Sequence, residues 1–138
     1  MDRNISSYLA HNRVLTLASS DDGQPYCAHC FYAYDATNQQ LIFMSDSDTR
    51  HIHEVKANVL VAGTISTNVI TVARLKGIQF TGTFVTPDKA MEEEFSQLYY
   101  ARFPFARTHQ SEIWAIRLDY IKMTDNTLGF GTKLSWKR

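Results

Sequence analysis

The sequence predicts an α+β fold in which an antiparallel sheet curls into a barrel, and three observations predict it. Six or seven short segments alternate apolar and polar residues or run as β-branched stretches, the signature of strands. Two or three stretches with helical spacing fall between them, without the regular strand–helix alternation of a parallel sheet. Glycines interrupt the longest apolar segment at Gly77 and Gly82, the kind of position where a sheet bulges or bends tightly enough to close.

The opening DRNISSYLAHN puts Ile5, Tyr8 and Leu9 at helical spacing, so a short amphipathic helix is expected. VLTLAS, Val14 to Ser19, is a strand, and Asp22-Gly23 supplies the positive-φ residue of a hairpin turn. YCAHCFYAYD, Tyr26 to Asp35, is the second strand. ATNQQ turns the chain again, and LIFMS, Leu41 to Ser45, completes a three-stranded meander. A helix from about Thr49 to Ala57 comes next. NVLVAGTIS is strongly β-branched, and a turn is expected near Thr67-Asn68. VITVARLKGIQFTGTFVTP then reads as one long strand. PDKAMEEEFSQLYYARFP has Pro87 near its start, acids early and Arg102 before Pro104, the charge order and proline placement of a helix. EIWAIRLDYIKM alternates as a strand, and TLGFGTKLSW supplies a further short one. With no repeat, linker or low-complexity segment, residues 1–138 read as a single domain.

Composition narrows the function classes. Fourteen Lys and Arg balance fourteen Asp and Glu, which removes the general argument for nucleic acid or an anionic membrane as partner. The basic residues Arg13, Arg74, Lys76, Arg102 and Arg107 are scattered, and no RNA-binding aromatic motif accompanies them. No segment approaches the roughly 20 apolar residues of a membrane span. The N-terminal MDRNISSYLAHNRVL lacks the charged-then-apolar order of a secretory signal, so a cytoplasmic protein is expected. Cys27 and Cys30 form C-A-H-C in a strand-like setting, whereas a redox pair opens a helix. An extended backbone sends the two thiols to opposite faces, and two buried, unpaired cysteines are expected. His51 and His53 point about 200° apart on a helix, and His11, His29 and His109 stand apart in sequence. Zinc needs three or four convergent ligands, so no metal is expected. Tyr99, Tyr100, Phe103 and Phe105 read as core or subunit contact.

The stretch FMSDSDTRHIHEVKAN carries the sharpest chemical suggestion. Hydroxyls at Ser45 and Thr49 flank a strand-to-helix turn, where free backbone N–H groups and the helix dipole favour an anion. Arg50 adds a bidentate donor for phosphate, and His51 adds a cation when protonated. An ordinary cap at Ser47 or Asp48 explains the same residues without a ligand. Asp46 and Asp48 also put like charge beside any anion.

Taken in order, VLTLASSDDGQPYCAHCFYAYD, LIFMSDSDTRHIHEVKANVLVAG and RLKGIQFTG resemble the pyridoxamine 5′-phosphate oxidase-like FMN-binding split β-barrels. The resemblance covers roughly residues 13–131. Thr124 to Gly131, TDNTLGFG, and Arg102 to Arg107 are most similar to the small YhbP-like group among them. The resemblance implies FMN, with its phosphate at the strand-to-helix turn. Ser45 stands on the family's strand-end threonine, Thr49 on its serine, Arg50 on its arginine and His51 on its lysine. It also implies a flavin ring beside the second strand, near His29 and Phe31, and a homodimer with the flavin between subunits. Lys133 would then reach the cofactor from the partner chain. The oxidase's substrate-contacting lysine, however, falls near Ala33 or Tyr32, its glutamine on Gly77 and its C-terminal tryptophan on Thr124. Its last arginine falls near Lys133 or Leu134. The resemblance therefore implies an FMN-dependent oxidoreductase of undefined substrate, not a pyridoxamine phosphate oxidase. The alternative is a non-catalytic dimeric flavin- or haem-binding protein on the same barrel. No catalytic acid–base pair is assigned.

Overall fold

In the computed structural model, which describes residues 1–138, three helices and seven strands follow the expected order. They are α1 (Arg3–His11), β1 (Val14–Asp21), β2 (Gln24–Asp35), β3 (Gln40–Met44), α2 (Arg50–Ala57), β4 (Leu60–Ser66), β5 (Lys76–Val85), α3 (Lys89–Arg102), β6 (Ile113–Asp125) and β7 (Lys133–Lys137). All strand pairings are antiparallel. The sheet order is β3-β2-β1-β4-β5-β6-β7, and an additional β3–β6 pairing closes the first six strands into a ring. β6 makes this possible by its length. Its first part, from Ile113 to Arg117, pairs with β3, and its second part, from Tyr120 to Thr124, pairs with β7.

Strand alternation sets the interior. Leu15 and Leu17, Cys30 and Tyr32, Val61 and Ile65, Ile78 and Phe80, and Ile121 and Met123 point inward and are buried in one cluster. Apolar area withdrawn from water in this way is the main favourable term of folding. Ile5 and Leu9 of α1 join the cluster, and the Tyr32 hydroxyl donates to the Leu9 carbonyl at 2.8 Å. Ile52 and Val55 of α2 join it as well. Asn58, just after α2, bonds the Ser20 carbonyl where β1 finishes, so the two helices serve opposite ends of β1. A second, smaller core lies outside the ring. There α3 lays Phe95 and Tyr99 over Ala33, Ile42, Ile113 and Ala115. No helix is long and apolar enough to cross a membrane.

Of the two expected bends, Gly82 coincides with a register shift between β5 and β6. A Cβ there would sit 2.5 Å from the Arg117 carbonyl oxygen, so only glycine lets the strands approach. Gly77 sits in regular pairing opposite Thr124 and Ser66, where a Cβ would meet the Ile65 carbonyl oxygen and Ser66 Cβ at an ordinary 3.7 Å. Two readings need correction. The segment from Val69 to Leu75 is not part of the long strand; it holds a short 3₁₀ turn at Val72–Arg74. Ile70 there is fully exposed. The pairings of β5 begin at Lys76 with Asp125 and at Gly77 with Ser66, so the residues before them have no strand to pair with. The two cysteines do face opposite ways, but Cys27 is exposed and only Cys30 is buried. Burial pushes the Cys30 thiol up to about 12, which leaves it inert.

Candidate cofactor site

The start of α2 lacks the usual self-satisfaction of a helix end. Its N-cap is Thr49, and that side chain makes no capping bond. The Thr49 hydroxyl donates instead to the Asp46 carbonyl at 2.9 Å. No acidic residue occupies the first turn, which opens with Arg50 and His51. Neither Ser47 nor Asp48 caps the helix.

Three of the residues singled out in the sequence come together here. His51 Nε2 lies 2.6 Å from Ser45 Oγ and 3.4 Å from Thr49 Oγ1. With the Thr49 proton spent on Asp46, its oxygen can only accept from the ring. Burial lowers the His51 pKa, and the charge of Glu54 partly opposes this. The Trp114 indole donates to the Ser45 carbonyl at 2.9 Å and fixes the strand end. Of the neighbouring acids, Asp46 accepts from the Ser111 hydroxyl and Glu112 from the Ser47 hydroxyl at 2.9 Å, whereas Asp48 is exposed and has no side-chain partner. A cavity of about 370 Å³ opens beside Ser45 and Thr49, with Tyr99, His109 and Ser111 on its other walls. His109 is brought here by the turn after α3, which its isolated place in the sequence did not signal.

Arg50 takes a different direction from His51. Its Nε donates to Glu54 Oε1 at 2.9 Å, and its guanidinium lies 4.0 Å from the centre of the Tyr26 ring. Glu54 is buried, and its other oxygen accepts from Ser19 Oγ at 2.6 Å. Those bonds, Ser19 first and Arg50 second, hold the Glu54 carboxyl below its ordinary range. Spacing alone pairs Arg50 with Glu54. Ser19 and Tyr26 enter through the register of β1 and β2, where they face each other.

His29 and Phe31 lie on the outer face of β2 together with Cys27, and all three are exposed. Phe31 keeps 58% of its surface and meets Phe103 edge-on at 5.7 Å. This outer face continues sideways as a row of direct strand partners: His29, Thr16, Thr64, Gln79, Lys122 and Ser135. A hollow of about 450 Å³ lies on it, lined by small side chains such as Thr16, Ala18, Ala62, Thr64 and Thr81. α3 covers β3 and the adjoining parts of β2 and β6, and leaves the outer face of β1, β4 and β5 bare. Lys133, two residues before Ser135, shares the face and bonds Thr124 at 2.8 Å. It lies on β7, the strand outside the six-strand ring, and no hydrogen bond joins it to His29.

No family profile matches the sequence. A UPF0306 protein named YhbP from Salmonella paratyphi C is 42% identical over 134 residues, covering 97% of this chain and 91% of that protein. Among solved structures, a haem-binding protein from Mycobacterium smegmatis superposes with a TM-score of 0.78 at 12% identity. That match covers 96% of this chain, which spans only 56% of the mycobacterial protein. An FAD-binding protein from Mesorhizobium loti has a TM-score of 0.72 at 19% identity, over 89% of this chain and 94% of its own. A candidate pyridoxamine 5′-phosphate oxidase from Listeria innocua has 0.67 at 16% identity, over 87% and 94%. At these identities the structures speak for the fold alone, and the fold is the split barrel. The sequence match carries more: the chain belongs to the YhbP family of UPF0306 proteins.

Proposed function

We propose that this chain is a homodimeric FMN-binding flavoprotein and an FMN-dependent oxidoreductase whose substrate is not pyridoxamine phosphate. The observation that carries the reading is the open start of α2, a helix end with no side-chain cap. The Ser45 and Thr49 hydroxyls and the His51 ring are gathered at it, with Arg50 alongside, held by Glu54 and Tyr26. Such a donor set suits a phosphate dianion. Backbone N–H groups of the first turn, Ser45, Thr49, His51 and the free edge of Arg50 would hold it. The ring would lie on the bare outer wall by His29 and Phe31, where small side chains leave room for a flat apolar body. A second copy packed across that wall would exclude water and bring its own Lys133 close to the ring. When bound, the flavin supplies the hydride- or electron-transfer chemistry, and the protein supplies binding, orientation and exclusion of water. The loss of the oxidase's lysine, glutamine and tryptophan positions argues against pyridoxamine phosphate as substrate. The unpaired cysteines suit a reducing compartment such as the cytoplasm.

A haem reading has one observation in its favour. His29 and Cys27, both exposed on the same face, are side chains that haem iron takes as axial ligands. The absorption spectrum of the purified protein separates the two readings, since flavin bands and a Soret band are unmistakable. Arg50→Ala tests the phosphate grip directly. It is expected to weaken FMN by about 1.5–3 kcal/mol, the scale of a charge-assisted hydrogen bond, and to leave riboflavin almost unchanged. Equal losses for both ligands would show that Arg50 supports the fold or the ring instead.

A further inference from the structure

We propose that Glu54, Ser19 and Tyr26 are positioning residues that hold Arg50 as a pre-set anion clamp. This inference rests on the FMN reading and deepens it. The arginine side chain is 57% exposed, and an exposed arginine ordinarily samples many rotamers at little cost. Here two contacts restrain it. Glu54 Oε1 takes the Nε proton at 2.9 Å, and the Tyr26 ring lies 4.0 Å from the guanidinium carbon. A guanidinium has five N–H donors, so fixing Nε leaves the outer pair of Nη groups to present side by side. That edge matches two oxygens of a phosphate.

The device is more than a helix-surface ion pair. Glu54 is buried, and Ser19 Oγ occupies its second oxygen at 2.6 Å. Ser19 is itself 3% exposed and sits on β1 directly opposite Tyr26 of β2. The barrel wall therefore sets the angle of the carboxylate, and the carboxylate sets the arginine. The order of the charges points the same way. Arg50 precedes Glu54, and a cation at the N-terminal end opposes the helix dipole, so this is the weaker order for helix stability. A placement that contributes little to the helix but orients an arginine at its open end is expected of a binding device.

The test turns on a sign. Glu54 carries a negative charge near the proposed phosphate, so on charge alone its removal strengthens FMN binding. Positioning predicts the reverse. FMN and riboflavin dissociation constants are measured by flavin fluorescence for the wild type, Glu54→Ala, Glu54→Gln and Ser19→Ala, with the melting temperature of each free protein alongside. Glu54→Ala is expected to weaken FMN at least about tenfold, the scale of one charge-assisted contact, with riboflavin unchanged. Glu54→Gln, which still accepts from Nε, is expected to recover most of that loss. Ser19→Ala should fall between wild type and Glu54→Ala, and it keeps the test open should Glu54→Ala fail to fold. Unchanged or tighter FMN binding in both Glu54→Ala and Ser19→Ala would overturn the positioning role and leave the FMN reading standing. A wild type that binds FMN no better than riboflavin would overturn both.

Discussion

The starts of α2 and α3 are opposites. At α3, Asp88 is the N-cap and accepts from the Met91 N–H at 2.9 Å, and Glu92 adds an acid to the first turn. That helix satisfies its own N-terminus and complements its own dipole. At α2 the cap residue turns away, no acid follows, and Arg50 and His51 stand where acids stabilise a helix. Both helices bury residues against the same sheet, α2 through Ile52 and Val55 and α3 through Phe95 and Tyr99. The difference therefore lies not in packing but in what each end awaits. One is finished; the other has no side-chain cap and is the end at which we propose the phosphate binds.

Making α2 resemble α3 is expected to have the largest effect. Thr49→Asp puts a capping carboxylate at the open end. It is expected to stabilise the free protein by roughly 0.5–1 kcal/mol while costing FMN several kcal/mol through like charge in the proposed phosphate site. Chemical denaturation and FMN titration of one variant read both effects. A stabilised variant that still binds FMN would remove the functional meaning of the open end. The converse change, Asp88→Ala, is expected to cost about 1 kcal/mol of stability with FMN affinity unchanged.

A smaller effect concerns His51. Its folded pKa is lowered by burial, so the unfolded chain holds the proton up to about pH 6.5 and the folded one releases it earlier. Stability of the free protein should fall as pH drops below that value and recover above it. His51→Gln should remove this slope. A bound phosphate would draw the proton back, so FMN affinity is expected to decline as pH rises through the same window, with riboflavin flat. An FMN profile as flat as that of riboflavin would take His51 out of the site.

Much of the scaffold was legible because period-two alternation survives in it. The meander from Val14 to Ser45 follows from the letters alone. In β6, by contrast, the alternation slips at Asp119, which the pairing with β5 skips, so Leu118 is buried and Tyr120 exposed. Val69, Ile70 and Val72 were misread because β propensity records fitness for a pleated, half-buried surface, and no neighbouring strand reaches them. The site was legible only where neighbours in sequence are neighbours in space. Ser45, Thr49 and His51 share one turn, and Arg50 and Glu54 share one helix face. Ser19, Tyr26 and His109 arrive through sheet register and the turn after α3, which spacing along the chain does not encode. The bare wall has a similar lesson. Thr16, Ala18, Ala62 and Thr64 look like ordinary outward-facing strand residues until α3 is seen to cover only β3 and the adjoining parts of β2 and β6.

Native mass spectrometry of the protein as purified, repeated after FMN is added in excess, reads subunit number and bound cofactor together. The predicted species is a dimer carrying one FMN per subunit. A monomer, or a dimer that stays empty in excess FMN, would contradict the account.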